Sequence, residues 1–340
     1  MLKRLQQLVL VCLVIITPAA LAAEPSAEPL AFDDNPLTDE ITLPDWFKLS
    51  FLDLNDSLKE AEKSGKRGVI IYFHLHDCAY CKAQIDVNWG SPDIAAYTRK
   101  YFDVIAIDLR GLRTVTDFDG KTTTEKAYAA HVKTDFTPTQ FFYNTQGQLV
   151  LRLPGFRPPY QYRAALEFVA DGHYRHTRLA EYLARAEAAL SFGQEELNEH
   201  DAFQPPPFNL DRRSKRATQP LLVIFEHPRC HACDLLHAGP LSNDEVNQQL
   251  NKLDVVQLNS RADVPVITPD GQKTTSRAWA EQLQLSFAPT LIFFDEQGQE
   301  IIRVESVIRL YRLNKILAYV LSKGYKTYPT LQLWQQSQRQ

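Results

Sequence analysis

The sequence predicts two α/β domains in tandem, each a central mixed sheet with helices on both faces. Three observations predict it. The chain repeats itself at an offset of 151 residues, each copy alternates β-branched apolar runs with helical patterns, and each copy ends on a strand–turn–strand pattern and a closing helix.

The repeat is plainest where Lys126–Thr139, KAYAAHVKTDFTPT, aligns without a gap on Arg277–Thr290, RAWAEQLQLSFAPT. Phe136, Pro138 and Thr139 match Phe287, Pro289 and Thr290. Asp103-Val104 matches Asp254-Val255, Asp119-Gly120 matches Asp270-Gly271, and Gln146-Gly147-Gln148 matches Gln297-Gly298-Gln299. Chance similarity does not hold register over such a span, so the chain is a duplication. Two C-x-x-C pairs, Cys78–Cys81 and Cys230–Cys233, are offset by 152. One residue was therefore gained or lost between motif and following strand.

The elements follow in order. Asp45 to Lys63 predicts a short strand and a helix. Val69 to Phe73 and Leu221 to Phe225 predict the first strand of each copy, with the C-x-x-C within five residues of its end. Ser91-Pro92 predicts a helix start in copy one, and Ser242 with Glu245 predicts a capping box in copy two. A strand (104–108; 255–259), a helix, and a Pro-headed strand (140–143; 291–294) come next. A tight turn at Gly147 or Gly298 opens a hairpin, and an amphipathic helix closes the unit. Tyr160, Tyr162, Phe168, Tyr311 and Tyr319 on the closing helices are read as core. Between the copies, Arg175 to Glu196 reads as a helix. Pro205-Pro206-Pro207 and the basic Arg212, Arg213, Lys215 and Arg216 read as a loop with a solvated face.

The expected organisation is a signal peptide at 1–22, domain one at 46–172, a helical and loop linker at 173–215, domain two at 216–324 and a C-terminal tail at 325–340. Lys3 and Arg4 lead into nine apolar residues, Leu8 to Ile16, then Pro18 and the small residues before Ala22. That is a secretory signal pattern, too short for the ~20 residues of a membrane span. No stable membrane anchor is expected after cleavage. The net charge passes from −4 to −6 on its removal. An acidic chain without a long basic run gives no support for nucleic-acid binding. Removing Cys12 leaves four cysteines, all in the two pairs, as suits an oxidising compartment.

A C-x-x-C that follows a strand places its first sulfur at the start of the next helix. Unpaired N–H groups and the helix dipole there favour a thiolate, the species that attacks disulfides. Cys78 and Cys230 are the expected nucleophiles. Cys81 and Cys233 are the expected resolving thiols, with Ala79, Tyr80, His231 and Ala232 between them tuning the motifs. Thr137-Pro138 and Ala288-Pro289 form the second constellation, because a proline heading a central strand removes a ladder donor and a cis peptide would accommodate it.

These residues resemble the thioredoxin superfamily across both copies. Within copy one, the runs DCAYCKAQ, VIAIDLRG, VTDFDGKTTTEKA and TPTQFF resemble the SoxW-type periplasmic thioredoxins. Tyr80 together with Thr137 is also similar to bacterial periplasmic disulfide isomerases. The resemblance implies thiol–disulfide exchange, cis prolines at Pro138 and Pro289, and backbone of Thr137 and Ala288 presented to the substrate. It implies no cofactor beyond the cysteines. Protein or small-molecule thiols and disulfides, and a redox partner protein, are the implied partners. The sequence departs from the family where thioredoxins carry a buried Asp six residues before the nucleophile. Those positions are Tyr72 and Ile224, which leaves Glu226 or His74 as substitutes if geometry allows. Copy two also has Asp234 for Lys82 and Ser306 for Gly155. A cationic His231 beside Cys230 would favour its thiolate and make the second pair the more oxidising.

Other readings stand beside this one. The pairs as inert disulfides in a binding or chaperone scaffold gain little, since so short a loop loses little entropy on closure. A zinc site is disfavoured by the separation of the two pairs, against roughly 15–20 residues in zinc modules. His74, His76 and Asp77 before Cys78 suggest metal carriage by ligand type only.

Overall fold

The computed structural model describes residues 32–134, 136–190, 196–214 and 217–338. The signal peptide with Cys12, and Lys215 and Arg216 of the basic loop, lie outside them.

Domain one begins with α1 (Leu54–Lys63), whose first turn is capped by the Asp53 carboxylate. It continues through β1 (Gly68–His74), α2 (Ala79–Ala83), α3 (Pro92–Tyr101) and β2 (Phe102–Asp108). A small hairpin, β3 (Thr114–Thr116) and β4 (Thr122–Thr124), precedes α4 (Glu125–His131), β5 (Thr139–Asn144), β6 (Leu149–Pro154) and α5 (Pro159–Ala170). The sheet order is β2-β1-β5-β6, with β1 and β2 parallel and the other pairs antiparallel. β1 is buried along its whole length because both sheet faces are covered. Ile70 and Tyr72 point to the face shared with Trp89, Ile94, Tyr162 and the cysteines. Val69, Ile71 and Phe73 point to the face covered by α1 and α4.

After α6 (Leu179–Leu190), domain two repeats the plan. It runs through β7 (Phe208–Asn209), β8 (Leu221–Glu226), α7 (His231–Ala238), α8 (Asp244–Leu250), β9 (Asp254–Asn259) and the hairpin β10 (Pro265–Ile267) and β11 (Lys273–Thr275). Then come α9 (Ser276–Gln282), β12 (Thr290–Phe294), β13 (Glu300–Glu305), α10 (Leu310–Leu321) and α11 (Leu331–Ser337). Its sheet order, β13-β12-β8-β9, reproduces the first. The trailing helices repeat as well. α6 follows domain one as α11 follows domain two, and α11 buries Leu331 and Trp334 in the second core.

The odd residue between motif and strand has a local cause. In copy one α2 runs into a π-helical turn at Gln84–Trp89, while copy two makes a tight 3-10 turn at Pro240–Ser242. A π turn spends more residues per turn than a 3-10 turn, so it absorbs the insertion without moving the strands.

Four expectations are corrected. The residues before α1 form no strand: Lys48 N donates to Val104 O, Asp53 bridges Thr116, and Leu52 at φ 60° interrupts the extended run between them. The cap of α8 is Asn243, not Ser242. The Asn243 side chain accepts from Glu245 N and Val246 N, whereas Ser242 lies in the 3-10 turn and donates to Ala238 O and Gly239 O. Arg212 is not a solvated loop residue. It is buried, bonds Gln219 O, and pairs with Asp254 at 2.7 Å. Tyr160 is exposed, because it sits in the first turn of α5 on the side away from the sheet, while Tyr162, Phe168 and Tyr319 are buried as expected.

The two domains dock through equivalent loops. A Cβ on Gly155, which holds φ +75°, would lie 2.1 Å from Cβ of Ser306, its own counterpart in the repeat. Val307 N donates to Phe156 O at 3.3 Å. The buried Arg157 guanidinium bonds Glu305 O and stacks 4.1 Å over the Phe287 ring. Burial pulls the Arg157 pKa down to about 10.

Candidate functional site

Each C-x-x-C pair is a disulfide with its Cα atoms 5.1 Å apart. Cys78 and Cys230 each occupy the N-cap of the helix that follows the first strand. Their sulfurs accept from Cys81 N at 3.0 Å and Cys233 N at 3.1 Å. This is the local geometry the spacing predicts: the strand ends, the chain turns, and the first sulfur meets unpaired helix N–H groups. Cys81 and Cys233 lie deeper, with essentially no exposure. Thr137–Pro138 and Ala288–Pro289 are both cis, as the resemblance implied, and so is Pro206–Pro207, which nothing in the sequence had indicated. In domain two the proline loop touches the pair directly, with Cys230 Sγ 3.4 Å from Ala288 O. Ala79 and Ala232 are buried inside the motifs, while His231 points to solvent.

The residues around the pairs sort differently in the two copies. Tyr72, at the position of the missing Asp, is wholly buried and donates to Cys81 O at 3.2 Å. His74 stacks on Tyr72 with ring centroids 5.6 Å apart. Copy two has Glu226 in place of His74, held by His237 Nε2 at 3.1 Å and by Gln257 Nε2 at 2.6 Å. The counterparts of His237 and Gln257 in copy one are Ile85 and Ala106, so this polar cluster belongs to the second copy only. His76 pairs with Asp108 at 3.0 Å and Asp77 with Arg110 at 3.2 Å, which ties both flanking side chains to the surface of domain one. Lys82 pairs with Asp86, and its counterpart Asp234 accepts from Asn198 Nδ2 at 3.0 Å.

Burial lowers the His74 pKa to about 4. The unfolded chain then takes up a proton near pH 6.5 that the folded chain refuses until about pH 4. The stability from neutral His74 is present above pH 6.5 and is lost as pH falls through that window. The loss should reach about 2–3 kcal/mol by pH 4. Urea melts of His74→Phe against the parent at pH 7.5 and 4.5 check it: the variant should show a visibly shallower loss. Equal losses would mean that His74 does not titrate in this range.

What sequence reasoning missed is the second domain's place at the first site. The Tyr80 hydroxyl accepts from Arg309 N at 2.8 Å and donates to Asp34 at 2.9 Å. The Asp34 carboxylate accepts from Tyr311 N at 2.9 Å and Arg312 N at 2.8 Å, at the start of α10. Arg312 lies 3.4 Å over the Tyr80 ring and donates to Thr137 O at 2.8 Å. That carbonyl immediately precedes the cis proline. A cavity of about 90 Å³ beside Cys78 is lined by Arg312 of α10 and by Leu331 and Gln335 of α11. A cavity of about 360 Å³ beside Ala288 is bounded by Gln161 of α5, the counterpart of Arg312, and by Ala180 and Ala184 of α6. No local pattern around Asp34, Arg157 or Arg312 signals these contacts.

Both pairs and the loops at Phe287–Ala288 and Val307 form one continuous apolar cluster with the core of domain one, separate from the two clusters that build domain two. Among the described residues no helix is long and apolar enough to cross a membrane.

A family model described as a thioredoxin-like domain matches the chain twice, over residues 54–170 and 211–321. No curated protein matches it. Among solved structures, a thioredoxin-fold protein from Helicobacter pylori is 22% identical, covering 43% of this chain and 89% of its own, with a TM-score of 0.33. A thioredoxin from Thermus thermophilus is 22% identical over 37% of this chain and 94% of its own, with a TM-score of 0.28. The C-terminal domain of Neisseria meningitidis DsbD in its reduced form is 13% identical, covering 30% of this chain and 81% of its own, with a TM-score of 0.24. With two matched regions that together span most of the chain, the protein belongs to the thioredoxin-like domain family and carries that domain twice.

Proposed function

We propose that the protein is a periplasmic thiol–disulfide oxidoreductase, a reductase or isomerase, with two redox pairs and no cofactor beyond its cysteines. One observation carries this reading: Cys230 Sγ sits at a helix N-cap and 3.4 Å from the carbonyl that precedes a cis proline. A polypeptide disulfide needs those two things together, a stabilised attacking sulfur and adjacent backbone to lie against. Cys78 and Cys230 attack; Cys81 and Cys233 resolve. Thr137, Pro138, Ala288 and Pro289 form the grooves, and Ala79, Tyr80, His231 and Ala232 tune the pairs. In this reading residues 1–22 direct export and are removed, and 46–172 and 216–324 are the working domains. Residues 173–215 link them, and 325–340 are a C-terminal tail. The substrates are protein or small-molecule thiols and disulfides, with a redox partner protein.

A second reading has an observation of its own. Cys78 and Cys230 are only 8% and 7% exposed, as expected for a scaffold whose disulfides are inert. Titration in glutathione buffers, with alkylation and mass measurement, separates the two. Both pairs should reduce without unfolding, and Cys81→Ala and Cys233→Ala should each trap a mixed disulfide on Cys78 or Cys230. Pairs that stay oxidised until the fold melts would leave only the scaffold.

A further inference from the structure

The proline loop of each site is contacted by the other domain. At site one, Arg312 holds Thr137 O and covers Tyr80, and Arg309 N bonds the Tyr80 hydroxyl. At site two, Arg157 covers Phe287, next to the Ala288 that touches Cys230. Gly155 and Ser306, equivalent in the repeat, meet between them and mark a local two-fold relation. Two sites related in this way lie on docked faces, each with its first cysteine nearly buried. The apolar cluster that contains both pairs runs without a break through this contact.

We propose that each pair is the other's redox partner, and that the docked state is the one in which electrons pass between Cys78–Cys81 and Cys230–Cys233 within a single chain. This rests on the pairs being redox-active, as argued above. With pair one reduced by an external thiol, the Cys78 thiolate attacks Cys230 Sγ. A Cys78–Cys230 bond forms, the Cys230–Cys233 bond breaks, and Cys233 leaves as a thiolate that takes up a proton. The Cys81 thiolate then attacks Cys78 Sγ, re-forming Cys78–Cys81 and expelling Cys230 as a thiolate, which is protonated in turn. Pair one has lost two electrons and pair two has gained them. The same steps run in reverse when pair two is the donor. Proximity supplies the rate: the attacking and receiving sulfurs are carried by docked faces and need no bimolecular encounter.

The test uses the full chain carrying Cys12→Ser, Cys81→Ser and Cys233→Ser, so that only Cys78 and Cys230 remain. Mild oxidation with diamide, followed by non-reducing peptide mapping, should give a Cys78–Cys230 link within monomers. Adding Arg157→Ala, which removes the stack on Phe287 and the bond to Glu305, should lower the rate of that link on the order of tenfold. Dimers or free thiols with no internal link, in a chain whose circular dichroism matches the parent, would overturn the proposal. A second arm keeps all four motif cysteines and adds one equivalent of dithiothreitol. Redistribution of reduction between the pairs, followed by alkylation, should be first order and independent of protein concentration. A rate proportional to concentration overturns the proposal even if the triple variant misfolds. If neither pair is reduced at all, the oxidoreductase reading has failed. If both reduce and trap external adducts without internal exchange, only this inference has.

Discussion

Cys78→Ser should bring exchange through the first pair to background, a loss of at least about a thousandfold, the scale on which removal of a nucleophile acts. Serine fits the N-cap and can accept from Cys81 N as the sulfur does, so the helix start survives. What disappears is the sulfur whose thiolate form attacks a disulfide. Cys81 cannot substitute, because its side chain has no exposure. Cys81→Ser should behave differently: attack proceeds and the adduct accumulates. The check is single-turnover reaction with a labelled glutathione disulfide at pH 7, carried out with the second pair replaced by serine. Retained turnover in Cys78→Ser would move the nucleophile to Cys81 and overturn the order of roles.

The largest stability change is expected at Tyr162. Its ring is wholly buried beside Trp89, with centroids 5.9 Å apart, and its hydroxyl donates to Gln140 Oε1 at 2.7 Å. Tyr162→Ala should cost about 3–5 kcal/mol in the domain-one transition of a urea melt, the range for deleting a buried aromatic ring. Tyr162→Phe should cost about 1–3 kcal/mol, because Gln140 is left with an unpaired acceptor in a dry core. The repeat shows how the pair can be replaced. The counterparts of Tyr162 and Gln140 are Leu313 and Leu291, both buried. Tyr162→Leu with Gln140→Leu should therefore cost less than the two single changes added together. Strict additivity would mean that the hydroxyl and the amide are not coupled.

Much of each domain was legible because its signals are local. β-branched runs, a helix-start Ser-Pro, and glycines at turns that hold positive φ (Gly147 at 74°, Gly298 at 80°) act within a few residues of where they stand. The errors were local as well. Ser242 and Asn243 are adjacent and both suit a cap, and the 3-10 turn that takes up Ser242 leaves Asn243 to serve. Arg212 read as a loop charge because its partner Asp254 lies 42 residues away. The small hairpins before α4 and α9 are too short to carry a pattern of their own.

The duplication, the strand and helix order, both C-x-x-C pairs and the two proline loops were in the sequence alone, because spacing and periodicity express them directly. Tertiary structure alone decided that the second domain packs onto the first site. The contacts that hold it there, Arg312 to Thr137 and Arg309 to Tyr80, join residues 175 and 229 positions apart. They depend on where two folded surfaces meet. Gly155 and Ser306 marked a difference between the copies in the sequence; in the fold they touch, because the domains dock through equivalent loops.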